Sequence, residues 1–349
     1  VRSSRKRPAQ FKGNKAAMAA ADLAELLGQS VRAWCAGATG IRDLVQLSGG
    51  ASQETLSFTI ERAGGDLAAI LRRSPPGYGS VSGRAAGLAA EAELMKLAGA
   101  AGVPSPPVLH VLTEQDGLGE GFFMQKVEGE TIARKILRDD AFAAARPKLA
   151  RQLGEIAARI HSVARDALPT LRMLSSTEEI DLLRTEVRNL GWPRPVFQLA
   201  LRWLADNDPG PSSRITLVHG DYRNGNLIIG PNGVRAVLDW ELAHLGDPME
   251  DLGWVCVNSW RFGAIDKPAG GFGSREDMFA GYEAASGLTV DAGRVKFWEV
   301  MGTLRWGIMC CGMMQRFRQS PENSMERAMI GRRASETEID LLRLLAPRG

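Results

Sequence analysis

LVHGDYRNGNLIIGPNGVRAVLDW, residues 217–240, is the stretch on which the fold turns. The apolar run Ile215, Leu217 and Val218 leads into a polar loop that carries Asp221 and Asn226. Leu227 to Ile229 reads as a short strand, Pro231, Asn232 and Gly233 turn the chain, and Val234 to Leu238 returns to deliver Asp239. An Asn-Gly turn between two β-rich runs is a strong hairpin signal. Such a hairpin brings Asn226 near Asp239, with Asp221 on the adjoining loop, so three oxygen-bearing side chains converge.

A cluster of this kind suits a hard cation. Magnesium takes oxygen ligands and is usually held by one or two carboxylates plus substrate phosphates. The kinase catalytic loop follows the same logic: an Asp receives the hydroxyl proton, an Asn five residues later holds metal, and so does a further Asp. The interval from Asp221 to Asn226 is five residues, and His219 stands two before the Asp. Gly220 replaces the Arg of protein kinases, and Trp240 follows Asp239 where they have Phe.

The HGDxxxxN pattern, the VLDWE segment, Asp247-Pro248 and Asp251-Leu252-Gly253 together resemble the aminoglycoside phosphotransferase and choline kinase family of small-molecule kinases. The resemblance is closer to the branch found as free-standing bacterial proteins and as kinase domains fused to acyl-CoA dehydrogenases. It runs from about Val45 to the C-terminus. It implies an α+β, protein-kinase-like fold of two lobes: an antiparallel sheet with one helix, then a mainly helical lobe. The expected division is a basic tail over 1–20, a nucleotide lobe over 21–126 and a catalytic and substrate lobe over 127–349.

Composition is compatible with this. The chain has 349 residues, 44% of them hydrophobic, enough for a sizeable core in about two lobes. Its net charge of +3 does not mark a nucleic-acid binder. Cys35, Cys256, Cys310 and Cys311 lack metal-ligand spacing, which suits a reduced cytoplasm. No apolar run reaches the roughly 18 residues of a membrane span. Arg2, Arg5, Lys6, Arg7, Lys12 and Lys15 precede no apolar core, so the first residues read as a basic tail and not as a secretory signal.

In the first half, Val45 to Leu47 and Leu56 to Ile60 read as strands around Ser48-Gly-Gly-Ala-Ser52. A small-residue turn lets backbone N–H groups approach phosphates, with Ser52 as a candidate contact, although Gly and Ser also dominate ordinary turns. In Leu67 to Arg73, strand alternation puts Ala68, Ile70 and Arg72 on one face. Kinases have a Lys here that contacts phosphates and pairs with a helix Glu. Arg72 is the matching residue, since the chain has no Lys between Lys15 and Lys96. A helix from about Arg84 to Leu97 offers Glu91 as its partner, with Glu93 as the competitor.

The strand Gly121 to Lys126 resembles the interlobe hinge. The resemblance implies that Ile70 and Met124 wall the adenine and that the backbone of Gln125 to Val127 reads its edge, for ATP with GTP as a second possibility. It further implies Asp221 as the base and Asn226 and Asp239 as ligands of Mg2+. Asp247 and Asp251 resemble structural carboxylates of the family; His219 and His161 are read as structural, and Glu241 and His244 as plausible substrate-side groups for which a structural role is the stronger reading. Gly263 to Ser274 is expected to be a mobile loop near the substrate. Between Val300 and Arg333, six arginines against Glu322 and Glu326 disfavour a polycationic aminoglycoside as acceptor. The expected activity is ATP-dependent phosphoryl transfer to a hydroxyl of a small molecule. The alternatives are a nucleotide-binding pseudokinase that regulates a partner and a metal-dependent phosphohydrolase.

Overall fold

In a computed structural model of the protein, residues 20–49, 53–76, 85–173, 175–319 and 325–346 are described. The basic tail expected over 1–20 therefore falls almost wholly outside them, as do Ser52 and Arg84.

Helix α1 (Ala20–Trp34) precedes strands β1 (Ala38–Gly49), β2 (Glu54–Arg62) and β3 (Leu67–Ser74). Helix α2 (Leu88–Ala100) then leads to β4 (Val108–Val111) and β5 (Glu120–Gln125). The five strands form one antiparallel sheet in the order β1-β2-β3-β5-β4. Alternation along β3 sorts its side chains: Ala69 and Leu71 join Leu56, Phe58, Ile60 and Phe123 in a core that α1 closes with Leu27 and Val31. Ile70 and Arg72 face the opposite way, toward α2 and the second half of the chain. Helix α2 begins four residues later than the sequence suggests, after Gly87, whose φ of 86° lies in the left-handed region.

After the sheet come α3 (Ala133–Arg138), α4 (Arg146–Ile160), α5 (Ser176–Asn189) and α6 (Pro195–Asp206). Apolar residues at helical spacing bury one face of α4 through Leu149, Leu153, Ile156, Ala157 and Ile160, as its sequence period requires. Then follow β6 (Thr216–Val218), β7 (Leu227–Gly230), β8 (Gly233–Val237) and β9 (His244–Gly246). Strands β7 and β8 form the expected hairpin, and β6 pairs with β9. Helices α7 (Met249–Cys256), α8 (Arg275–Ser286), α9 (Ala292–Gln319), α10 (Met325–Gly331) and α11 (Ala334–Leu345) complete the chain. Its larger core runs from α2 through α4, α6, α7 and α9 to α11.

Among the described residues, backbone hydrogen bonds tie the sheet and the connector that follows it to the second half at three places. Glu130 and Ile229 exchange a pair at 2.9 and 3.0 Å, Val237 N donates to Pro104 O at 2.8 Å, and Ala86 N donates to Glu241 O at 2.8 Å. Among the described residues no helix is long and apolar enough to cross a membrane. The four cysteines are buried free thiols.

The segment 263–274 departs from expectation. Gly270 N donates to Val255 O, Ala269 N to Gly273 O, and Ala269 and Phe272 are buried. Asn224, on the loop between β6 and β7, donates to Gly270 O at 2.8 Å, so this glycine-rich stretch is a packed buttress of that loop. Its glycines serve close turns, which composition alone does not distinguish from mobility.

Candidate functional site

Strand β6 ends at Val218, and the next two peptides are held by a single carboxylate. Asp251 on α7 accepts from His219 N at 2.8 Å and from Gly220 N at 3.0 Å. His161 Nε2 lies 3.1 Å from the same carboxylate, and its Nδ1 lies 3.1 Å from the Tyr282 hydroxyl. Burial opposes the charge of Asp251, yet the His161 contact and the backbone donors hold its carboxyl below the usual range. Gly220 has φ 78°, and a Cβ there would lie 2.4 Å from Leu242 O. That close passage explains Gly in place of the kinase Arg.

His219 is fully buried, its Nε2 3.1 Å from Leu238 O and its Nδ1 accepting from Asp221 N at 3.2 Å. Burial lowers its pKa, in keeping with a neutral ring that braces two backbones. The side chain of Asp221 is gripped by three donors. Oδ1 accepts from Arg223 Nε at 2.9 Å and Trp254 Nε1 at 2.8 Å; Oδ2 accepts from Asn226 Nδ2 at 2.6 Å.

The hairpin returns Asp239 to this point. Leu238 N donates to Asn226 O at 2.9 Å, and Asp239 then takes the left-handed conformation, φ 66° and ψ 66°. Its Oδ1 accepts from Arg72 Nη2 at 2.8 Å, and Glu241 Oε2 accepts from the same nitrogen at 3.0 Å. Arg72 Nε is 3.2 Å from Glu91 Oε2, but the N–H is not aligned for a hydrogen bond, so the two groups meet by proximity alone. Burial raises the Glu91 carboxyl to about 8 against the pull of Arg72. On the guanidinium, burial opposes charge but the three carboxylates win, and its pKa is raised. Glu93 pairs with Lys96 instead, which decides the competition for Arg72 in favour of Glu91.

Beside Arg72 lies a cleft of about 210 Å³ lined by Thr55, Arg72, Glu91, Met95, Phe122, Met124, Asn226, Leu238 and Asp239. Met124 thus stands where an adenine wall is expected. Ile70 pairs with Met124 across β3 and β5 but is not part of this lining. Gln125 N donates to Pro107 O and Lys126 N to Ala68 O, which leaves Val127 as the N–H of that trio outside these bonds.

A larger cavity of about 620 Å³ opens on the other side of Asp221. Its wall includes Arg223, Glu241, Trp254, Trp260, Arg305, Trp306 and Arg316. The arginines between 300 and 333 do not act together. Arg305 is buried between Glu250 and Glu179, Arg318 lies over Trp192, and Arg333 pairs with Glu336. Only Arg305 and Arg316 of that group reach this wall. Counting charge along a sequence overstated the local excess because a helix distributes its side chains around its axis.

Oxygen donors of Asn226 and Asp239, with phosphates and water, make the partial donor set that magnesium takes. Among the described residues no three His, Cys, Asp or Glu side chains form a complete cage. The arrangement can hold a charged donor at Arg72 and Asp239 and present a hydroxyl to Asp221. Trp254, which sequence reasoning left aside, and Glu241, which it weighed between a structural and a substrate-side place, both lie at the site. Glu241 stands two residues after Asp239, on the same short turn. Trp254 carries no spacing signal; its proximity follows from α7 docking. Asp247 is structural as expected, accepting from Met249 N, Arg294 Nε and Trp298 Nε1.

The model of the APH phosphotransferase enzyme family matches residues 43–288. Among curated proteins, acyl-CoA dehydrogenase family member 10 of Mus musculus is 29% identical over 231 residues, covering 63% of this chain and 20% of that protein. Acyl-CoA dehydrogenase family member 11 of Gallus gallus is 26% identical over 345 residues, covering 89% and 41%. The chain therefore spans less than half the length of either relative. Among solved structures, a Ralstonia eutropha protein assigned as an aminoglycoside phosphotransferase superposes with TM-score 0.72 at 21% identity, covering 92% of this chain and 97% of that one. Aminoglycoside phosphotransferase APH(4)-Ia, in complex with AMP-PNP and hygromycin B, has TM-score 0.60 at 14% identity, covering 94% and 100%. These likenesses establish the protein-kinase-like fold.

Proposed function

This chain belongs to the APH phosphotransferase enzyme family, and we propose that it moves the γ-phosphoryl group of ATP to a hydroxyl of a small molecule. The observation that carries this reading is the meeting of Asp221, Asn226 and Asp239 between the 210 Å³ cleft and the 620 Å³ cavity. The Arg72–Glu91 pair on the cleft side supports it.

The nucleotide enters the cleft with its base against Met124 and its edge at Gln125 to Val127, and Ser52 is assigned to the phosphates. Arg72 supplies positive charge to them. Asn226 and Asp239 would hold Mg2+, which neutralises developing charge on the phosphates. Asp221 orients the acceptor hydroxyl. As its oxygen bonds to the γ-phosphorus, the bond from that phosphorus to the β,γ-bridging oxygen breaks, ADP leaves, and the hydroxyl proton passes to the Asp221 carboxylate. Such transfer depends mainly on positioning and electrostatics.

The acceptor we propose is a small hydroxy compound whose charge the cavity wall does not select. Glu91, Asp239 and Glu241 are engaged by Arg72, Asp221 by Arg223, and Arg305 by Glu250 and Glu179; Glu120, Glu186, Arg172 and Arg316 line the same cavity, so its wall carries no excess of positive charge. The phosphohydrolase alternative loses support because His219 is turned toward backbone. The pseudokinase alternative loses support because Arg72 retains its Glu91 partner.

The test is calorimetric titration with ATP, with and without magnesium, followed by transfer from labelled ATP to a panel of hydroxy compounds. Binding that needs magnesium and weakens in Asp239→Ala, with transfer lost in Asp221→Asn, is the expected result. Full transfer by Asp221→Asn would remove the base assignment, and absence of both ATP and GTP binding would overturn the reading.

A further inference from the structure

Helix α7 holds the catalytic loop twice. Asp251 fixes its backbone, as described above. Trp254, three residues on and therefore on the same face of the helix, donates its indole N–H to Oδ1 of Asp221 at 2.8 Å. We propose that Trp254 is a positioning residue for phosphoryl transfer, acting through Asp221; this rests on the function proposed above.

The indole is built into its place. Trp254 is buried, and a Cβ on Gly302 of α9 would lie 2.7 Å from its Cε3, so the absent side chain makes the seat. Gly253 plays the reciprocal part, since a Cβ there would lie 2.6 Å from Trp298 Cβ. One turn beyond Gly302, the Arg305 guanidinium lies over the indole with its Cζ 4.4 Å from the ring centroid. Arg305 is itself anchored by Glu250, whose other oxygen is 3.0 Å from His244 Nε2. On its remaining side Trp254 meets Trp260 at 5.4 Å between centroids. Few rotations are open to a ring enclosed in this way.

The geometry assigns the N–H a task beyond filling the core. The Trp254 N–H is aimed at the carboxylate that must face the acceptor. Arg223 Nε shares the same Oδ1, and Asn226 takes Oδ2. Arg223 is stacked in turn on Trp260, its Cζ 4.5 Å from the ring. Oδ1 thus has two donors from the tryptophan wall, and rotation of the carboxylate about its Cβ–Cγ bond is opposed from both edges. Arg223 is the longer side chain and is 23% exposed, whereas Trp254 is buried on every side and is the rigid member of the pair.

Trp254→Phe keeps the stacked ring and deletes the donor. A hydrogen bond to a charged group corresponds to roughly tenfold to hundredfold in rate if it is realised in the transition state. The expected result is a fall in kcat of that size with KM for ATP within about twofold, because the cleft is untouched. The signature is spectroscopic: in protein labelled with 15N-tryptophan, the indole N–H resonance that disappears in Trp254→Phe is also the one that moves most in Asp221→Asn. A Trp254→Phe enzyme with full kcat, beside an inactive Asp221→Asn, overturns this proposal and leaves the proposed function standing. An indole resonance unmoved in Asp221→Asn also overturns it. Wild-type protein that neither binds nor turns over magnesium ATP removes the function itself, and this inference with it.

Discussion

Arg72→Met should destabilise the protein by an amount that depends on pH. Glu91 has an unfolded value near 4.5 and a folded value of about 8. A carboxyl raised in this way contributes stability that is fully present below about pH 4.5 and is lost as the pH rises to its folded value. At pH 6 Glu91 is therefore protonated with or without Arg72. The guanidinium then matters through Asp239 and Glu241, whose side chains are 28% and 37% exposed. Such partly screened pairs are worth about 0–1 kcal/mol each. Removing Arg72 deprives Glu91 of its largest favourable charge interaction and moves its titration further upward. Above pH 8 the wild type ionises Glu91 beside Arg72, whereas the variant keeps the proton. The gap between them should widen by up to about 1.4 kcal/mol per pH unit. Urea unfolding at pH 6, 7.5 and 9 measures it: a difference of about 1 kcal/mol at pH 6 and about 2–3 kcal/mol at pH 9 is expected, within the range for breaking a buried pair. A difference equal at all three pH values would refute the reasoning, because Arg72 and Glu91 would then not be coupled.

Gly220→Ala forces a Cβ to 2.4 Å from Leu242 O at φ 78°; a loss of at least about 1–3 kcal/mol is expected in denaturant unfolding, with transfer impaired because the shifted peptide carries Asp221. Asp251→Ala strands the His219 and Gly220 amides and His161, and should cost about 3–5 kcal/mol; a cost below 1 kcal/mol by the same assay would count against its anchoring role. In the wild type, the depressed pKa of Asp251 makes its contribution present above the ordinary value of 3.8 and lost as pH falls through the lower folded value. Asp251→Asn should therefore show a shallower loss of stability between pH 4 and 2 in acid titrations followed by circular dichroism.

The parts of the site that were legible in the sequence are those fixed by local geometry. Asp221 and Asn226 lie on one loop, and the two-strand hairpin leaves Asp239 little choice of position. Strand alternation likewise placed Arg72 on the face opposite Leu71. Choosing Glu91 over Glu93 required knowing which face of α2 meets β3, information that two glutamates on a mostly apolar, alanine-rich helix do not carry. Trp254 was hidden, and the place of Glu241 left undecided, for related reasons. The first depends on α7 settling against two glycines, one of them in α9, a contact between residues 253 and 298–302 that no local pattern announces. The second shares Arg72 with Asp239 across 169 residues of sequence. The arginines beyond residue 300 misled as a group because their partners, Glu250, Glu179 and Glu336, come from several helices.

The three backbone contacts that tie the sheet and its connector to the second half have a mechanical consequence. Glu130, on the connector after the sheet, bonds Ile229, and Pro104 bonds Val237, so both stitch the chain to the same hairpin, the one that leads to Asp239. Both contacts fix the distance of that part of the chain from the hairpin. The third stitch, Ala86 to Glu241, stands beside the contacts of Arg72 with Asp239 and Glu241. Asp239 therefore serves two masters under the function proposed above: it holds the guanidinium of the sheet and would hold the metal of the nucleotide. On that reading a change of Asp239 would alter nucleotide affinity and the grip between sheet and hairpin together.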